Sequence, residues 1–567
     1  MDDNCTAYCQ AYSYFGDVIQ HARQHNQLIP VAKLPAEILA EIFDIYSFHC
    51  YESRKDSSFH SRRGEVAEWT IVSHVCHYWR DISLSSSHLW SNICIKGSHS
   101  LYYLKTCLER SREALLSVYL EEVFSGDRGE PPLPVLFMIF ADHLHRIRSL
   151  HVSTKSSFLK DTPSPWRHIH VAPSLKYLTL ITNPSHPVSP RLKCMGLREL
   201  LLRNTETPSL THLKILDQQH NWVKTSYPQT LVKLEIQYVD VNRIPYAVRD
   251  DFLSDALIVL KNLPFLQQLD LFDVFPSLDI EYAPLTQTTL SALKRIRLQG
   301  YTAPIVKFLH HLILPNNVIH NIHFKFISHE EWDQQYSELH RWLFSRASDF
   351  NENPLQKLYI SDSEFYDTLS LQAWKIASTV RPDEILPFSH LEAHEPDIGI
   401  SISVGGNAPD DSPFKIDGFL AGLASAIPLT KLETCDVSSL LYTPLPLFQS
   451  LRLFPRLAHI SMNSDTGLRA FLDTFQMGDK DEGIFPALRS LEISHAQVTQ
   501  RVQVRTDGRK FLEEFCEHLV AWRHDGRLRA LKSIRLTHSK RDQVQDIESD
   551  TPKMLKSLVD CFEVLEY

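Results

Sequence analysis

The sequence has no apolar run approaching the roughly 18 residues needed to span a bilayer. The nearest, LPVLFMIFA at 133–141, is far too short. It also lacks a positive balance: 58 lysines and arginines against 68 aspartates and glutamates leave a net charge of −10. A general nucleic-acid binder or an anionic-membrane binder needs a strong positive field, so neither is expected. The first residues, MDDNCTAYCQ, are acidic and carry no basic-then-oily signature of a secretory leader. The ten cysteines, scattered from Cys5 to Cys561, form no paired framework. Together these features point to a reducing compartment, cytoplasmic and/or nuclear, with buried free thiols.

Catalytic signatures are missing too. There is no GxxxxGK(S/T) phosphate loop, no GxGxxG after a strand, no GxSxG elbow and no HExxH. SHEEWDQQ at 328–335 starts like the last of these but places Asp333 where a ligand histidine belongs. Acidic pairs such as Glu330-Glu331 and Asp410-Asp411 sit in polar contexts that suit solvated surface. With 29 histidines, chance groupings such as His74, Cys76 and His77 are expected. The spacing Cys5, Cys9, His21, His25 nearly fits a zinc finger, but the apolar residues such a finger wants are only loosely supplied. The expectation is no catalytic residue, no metal and no cofactor. A hydrolase assembled from dispersed residues would need a pocket of coupled acid and base groups.

What is present is ample core material, 43% apolar residues in a chain long enough for several domains or one extended repeat array. A pattern LxxLxL, with conservative swaps, recurs: IRSLHV (147–152), LKYLTL (175–180), LRELLL (197–202), LVKLEI (231–236), LQQLDL (266–271) and LKRIRL (293–298). It continues as IHNIHF (319–324), LQKLYI (355–360), LAHISM (457–462), LRSLEI (488–493) and LKSIRL (531–536), with a weaker copy LTKLET at 429–434. The segments before several copies, as in DALIVLKNLPFLQQLDL (255–271), run helical spacing, then a Pro or Gly break, then a short strand. Such a unit cannot cover its own oily side, and stacking neighbours would do so. This region, 145–540, resembles the leucine-rich-repeat family in degenerate form, without its asparagine ladder. Pro, Ser and Gly clusters at 161–166, 183–190 and 404–413 interrupt it, ISISV (400–404) reads as a hairpin arm, and 541–567 reads as a closing cap.

At the front, KLPAEILAEIF (33–43) starts a helix well, with Pro35 in the first turn and Glu37 and Glu41 one turn apart. Leu34, Ile38, Leu39, Ile42 and Phe43 make an unusually wide apolar stripe. A polar stretch at 50–65 reads as a loop, after which Val72, Val75, Cys76, Trp79 and Ile82 fall on one helical stripe, followed by Leu89, Trp90, Ile93 and Ile95. Leu34-Pro35, Glu37-Ile38-Leu39, Val75-Cys76, Trp79-Arg80 and Leu89-Trp90, in that order, resemble the F-box family, most of all its large set in mushroom-forming fungi. The segment at 47–68 departs from that pattern by separating the first two helices.

The resemblance implies docking on the Skp-type adaptor of a cullin–RING ubiquitin ligase, through Leu34, Pro35, Ile38, Leu39, Ile42, Phe43, Val72, Val75, Cys76, Trp79, Leu89 and Trp90. The expected fold class is α/β: a small all-helical F-box module, then an irregular leucine-rich-repeat-like solenoid of short parallel strands alternating with helices. The expected domains are a helical lead-in (1–29), the adaptor-docking domain (30–95), a helical connector (96–144), the repeat domain (145–540) and the cap (541–567). The expected role is a non-catalytic substrate receptor, with an unknown protein substrate; the alternative is a repeat scaffold with no ligase role. Thr179, Glu235, Asp270, Arg297, His323, Tyr359, Ser461, Glu492 and Arg535 are expected on the polar strand face, and their mixture names no ligand class.

Overall fold

A computed structural model describes residues 28–56, 68–96, 101–121, 142–155, 171–183, 206–217, 227–238, 252–275, 287–326, 355–363, 368–374, 398–404, 431–439, 445–452, 454–463, 466–477, 484–494, 508–525, 530–538 and 559–566, with isolated positions from Val18 onward. The chain divides into two units, Met1–Leu266 and Gln267–Tyr567. Helices and predominantly parallel strands mix in both, an α/β composition. No helix among the described residues is long and apolar enough to cross a membrane.

The first unit opens with helix α1 (Ala36–Asp56), a 3-10 turn at Glu68–His74, helix α2 (His77–Ser85), a second 3-10 turn at Ser87–Trp90 and strand β1 (Asn92–Lys96). Helix α3 (Leu101–Arg110) and strand β2 (Leu116–Glu121) follow. Next come β3 (Ile147–Lys155), β4 (Tyr177–Asn183), β5 (His212–Asp217), β6 (Lys233–Tyr238) and helix α4 (Phe252–Lys261). Each strand from β1 to β6 pairs in parallel with the next. Within the range 96–144, read as a helical connector, β2 is a strand paired on both sides. Its apolar residues alternate, Leu116, Val118 and Leu120 all buried, which suits a strand and not a helix.

The second unit holds β7 (Gln268–Phe272), a small parallel pair β8 (Thr288–Thr289) and β10 (Leu312–Ile313), β9 (Arg295–Tyr301), helix α5 (Thr302–His310) and β11 (Ile319–Phe326). It continues with β12 (Lys357–Ser363), β13 (Thr368–Trp374), β14 (Ile398–Val404), β15 (Thr434–Ser439), α6 (Leu445–Leu451) and β16 (His459–Asn463). It ends with α7 (Thr466–Met477), β17 (Ser490–Ser494), α8 (Gly508–His524), β18 (Ser533–His538) and β19 (Cys561–Glu566). Strands β7, β9, β11 and β14 pair in parallel, and β12, β15, β16, β17, β18 and β19 pair in parallel. Strand β13 runs antiparallel between β14 and β12, so the ISISV segment is indeed one arm of an antiparallel pair.

One local device repeats. The first leucine of the motif closes a turn by donating its N–H to the carbonyl three residues earlier: Leu175 to Ala172, Leu231 to Pro228, Leu293 to Leu290, Leu488 to Phe485. The fourth and sixth residues then point inward and are fully buried, as with Leu234 and Ile236 or Ile460 and Met462. The carbonyl of the second residue takes two N–H groups from the following strand: Lys176 from Thr211 and His212, Ala458 from Arg489 and Ser490. Helices back this arrangement in the second unit, where Phe448 of α6 and Phe471 of α7 lie edge to face at 5.9 Å and Phe471 stacks on Phe485 at 5.3 Å.

Arg146 ties α3 to the strands. Its guanidinium donates to Leu108 O at 3.0 Å, Ser111 Oγ at 2.9 Å and Ala114 O at 3.2 Å, closing the carboxyl end of the helix with a cation. Arg146→Met removes all three bonds and leaves Leu108 O only the Ser111 hydroxyl donor, at 3.0 Å. It should lower stability by roughly 2–3 kcal/mol, read as a shift of the urea midpoint.

Candidate functional site

Helix α1 carries two apolar stripes. Leu39, Phe43, Ser47, Cys50 and Tyr51 follow each other at helical spacing and are all buried. Ile38, Ile42, Ile45 and Phe48 follow at the same spacing on another side and are exposed, Ile45 at 65%. The inner stripe is locked by aromatic packing: Phe43 meets Trp79 at 4.9 Å between ring centroids. Ser47 Oγ donates to Leu89 O at 3.5 Å.

Helix α2 is set by its cap. Cys76 is extended, and its Sγ accepts from the Trp79 N–H at 3.4 Å. The expected continuous stripe from Val72 to Ile82 is therefore broken: residues 68–74 form a 3-10 turn, the chain is extended at Cys76, and a separate helix follows. Val72 and Ile82 are buried, while Val75 is exposed. Trp69 and Trp90 meet edge to face at 4.9 Å, Trp90 Nε1 donates to Ser83 O at 2.9 Å, and the Arg110 guanidinium lies 4.7 Å from the Trp90 ring. Tyr78 Oη donates to Leu34 O at 3.2 Å, joining α2 to the segment ahead of α1.

This placement divides the expected docking residues. Leu39, Phe43, Val72, Leu89 and Trp90 are buried within the chain, so the single wide stripe is divided. Pro35, Ile38, Ile42 and Val75 are exposed, and Leu34, Cys76 and Trp79 are half-buried. Leu28, Ile29, Val31, Ile45, Tyr46, Phe48, Ile71 and Tyr78 also present apolar surface on these elements, and sequence reasoning missed them. The signal was available: the 38, 42, 45 spacing carries past residue 43. The polar segment taken as a loop from residue 50 is helical to Asp56, because Cys50 and Tyr51 extend the inner stripe. Residues 57–67 lie outside the described residues.

The polar strand face is a second candidate. Tyr359, Asp436, Ser461, Glu492, Arg535 and Glu563 stand in one register row across β12 and β15 to β19. Thr179 and Glu235 share a row through Lys214, and Asp270 faces Arg297. His323 pairs with Gln299 instead of continuing the Arg297 row, since Asn321 takes that place. Burial raises the Asp436 carboxyl above the usual range, against hydrogen bonds from Ser438 and Ser461. Burial also raises Glu492, with Arg535 opposing and Asp436 reinforcing the shift.

Burial pushes the His459 imidazole down to about 4, helped by Arg535 and Lys357. An unfolded histidine titrates near 6.5. The unfolded chain therefore takes up this proton first as the pH falls. The His459 contribution is complete above about pH 6.5 and is lost on the way down to about pH 4. His459→Gln should flatten that decline, measured as urea midpoints of variant against parent at each pH. Asp436 and Glu492 have the opposite sign and cancel in the comparison.

Among the described residues no group of three or more His, Cys, Asp or Glu side chains is placed to hold a metal. His77 is instead paired with Asp81, Nδ1 to Oδ2 at 2.8 Å. Cys5, Cys9 and the 328–335 segment lie outside the described residues. Cys50, Cys94, Cys107, Cys435 and Cys516 are buried thiols outside any disulfide.

Compared with known families, residues 31–96 match the F-box-like family model. No curated protein matches the sequence. The matched segment runs from within a 3-10 turn at Pro30–Lys33, ahead of α1, to the last residue of β1.

Proposed function

We propose that the F-box-like domain docks this chain on the Skp-type adaptor of a Skp–cullin–F-box ubiquitin ligase, and that the chain is the complex's substrate receptor. The observation that carries this reading is the outward stripe Ile38, Ile42, Ile45 on α1, with Val75 and Ile71 near the start of α2. An interior-facing stripe already fills the domain core, so the outer one has no structural duty inside the domain. Burying each of these side chains would contribute about 1.5–3 kcal/mol, set against an association cost of roughly 4–15 kcal/mol. Binding thus needs several of them together.

In this reading the strands and helices after β1 form an irregular leucine-rich-repeat-like solenoid that presents a protein substrate, in the cytosol or nucleus. The chain performs no covalent chemistry; its contribution is proximity, holding a substrate lysine near a conjugating enzyme carried by the rest of the complex. The test is co-expression with a Skp-type adaptor and purification through the chain. The reading requires a stoichiometric complex that is lost when residues 30–95 are deleted. A chain that purifies without the adaptor is a repeat scaffold and not a ligase subunit.

A further inference from the structure

The face of β15 to β19 holds a polar atom left unsatisfied among the described residues. His459 is buried, its Nε2 lies 3.8 Å from Glu492 Oε2, and its Nδ1 has no hydrogen-bond partner among the described residues. Assigning the proton of the neutral ring to Nε2, the side nearer the carboxylate, makes Nδ1 a lone-pair acceptor. A buried acceptor without a donor is costly, so its retention calls for a donor from outside.

The surroundings say which kind. Asp436 accepts from the Ser438 N–H at 2.8 Å and stands in register with Ser461, beside Glu492. The row's only cation is Arg535, which is shared: 3.0 Å to Glu563 and 3.9 Å to Glu492. Lys357 is one register row away, level with Thr434 and His459. Burial falls along the row, from Asp436 at 4% to side-chain exposures of 22% for Glu492, 28% for Arg535 and 44% for Glu563, so the cluster opens toward β19. The neighbouring positions, Thr434, Ser490 and Ser533 on one side and Ser494 and Thr537 on the other, carry small polar side chains.

Building on the substrate-receptor reading, we propose that this cluster recognises a cationic side chain, lysine or arginine, of a bound protein segment. A guanidinium or ammonium brings several N–H donors to a site whose unsatisfied group is an acceptor, and its charge adds to that of the one arginine in a row with three carboxyl groups, two of which Arg535 reaches. A phosphorylated residue brings acceptors and negative charge, and is repelled by the same groups.

The test uses the full-length chain and a positional-scanning library of decapeptides that includes phosphoserine. Lysine or arginine should be selected at one position. Glu492→Gln should weaken the selected peptide about tenfold by fluorescence anisotropy, and His459→Leu should erase the selection. Circular dichroism of both variants establishes that they fold. Selection of phosphoserine or acidic residues, no selection at all, or a cationic preference unmoved by Glu492→Gln would each overturn the proposal. Adaptor co-purification, scored on the same samples, reports on the ligase reading alone: its loss in the parent chain leaves the peptide result standing.

Discussion

Ile42→Asp should strip a Skp-type adaptor from the purified protein and leave the unfolding midpoint where it was. Ile42 lies at the middle of the outward stripe, 46% exposed, with Ile38 and Ile45 one turn away on either side. In the free chain the new carboxylate meets water and costs little. In a complex it is a desolvated charge in an apolar contact, added to the lost burial of the isoleucine. At least a hundredfold weaker binding is the expected result, on the order of 3 kcal/mol. The matched control is Leu39→Ala, three residues away on the same helix. It should cost about 2–5 kcal/mol of stability, because Leu39 faces the core. Equal effects of the two substitutions on stability would mean that the outer stripe is covered in solution.

Trp90→Ala should produce the largest loss of stability in the amino-terminal region, about 3–5 kcal/mol in urea unfolding. The ring meets Trp69 edge on, lies beneath Arg110 and donates to Ser83 O. Removing it opens a cavity at the point where two 3-10 turns and α2 converge and leaves a buried carbonyl without its donor. Trp90→Phe keeps most of the volume and loses the N–H, so it should recover more than half of the loss. Adaptor binding should fall with both variants in proportion to the unfolded fraction, which separates a core residue from a contact residue.

The strands were the most legible part of the chain, because leucines at fixed offsets report both the turn and the two inward positions. Where the reading slipped, the cause is local. The copy at 429–434 is out of frame: Leu432 ends the lead-in, and Cys435 and Val437 are the inward pair, a cysteine serving as a small apolar residue. β5 was passed over although Leu210, Leu213 and Ile215 fit the offsets and are buried. β13 follows simple alternation without a leading leucine, and its antiparallel direction depends on the partners either side.

The docking residues were the hardest to assign. A helix that is apolar on two sides does not itself say which side is inside. That choice is made by Trp79 and Leu89, which come from other elements and claim Phe43 and Ser47. The polar face shows the reverse. Single residues such as Glu492 and Arg535 were named from the motif, yet their meaning emerged only when register placed Asp436 and Glu563 in the same row.

β1 has two memberships: it completes the segment that matches the F-box-like family, and it pairs along its whole length with β2. The anchor and the first rungs of the ladder are thus welded, with no swivel between them. If the proposed docking holds, whatever those rungs carry would inherit the adaptor's orientation, and the lysine that received ubiquitin would be chosen by reach and not by search.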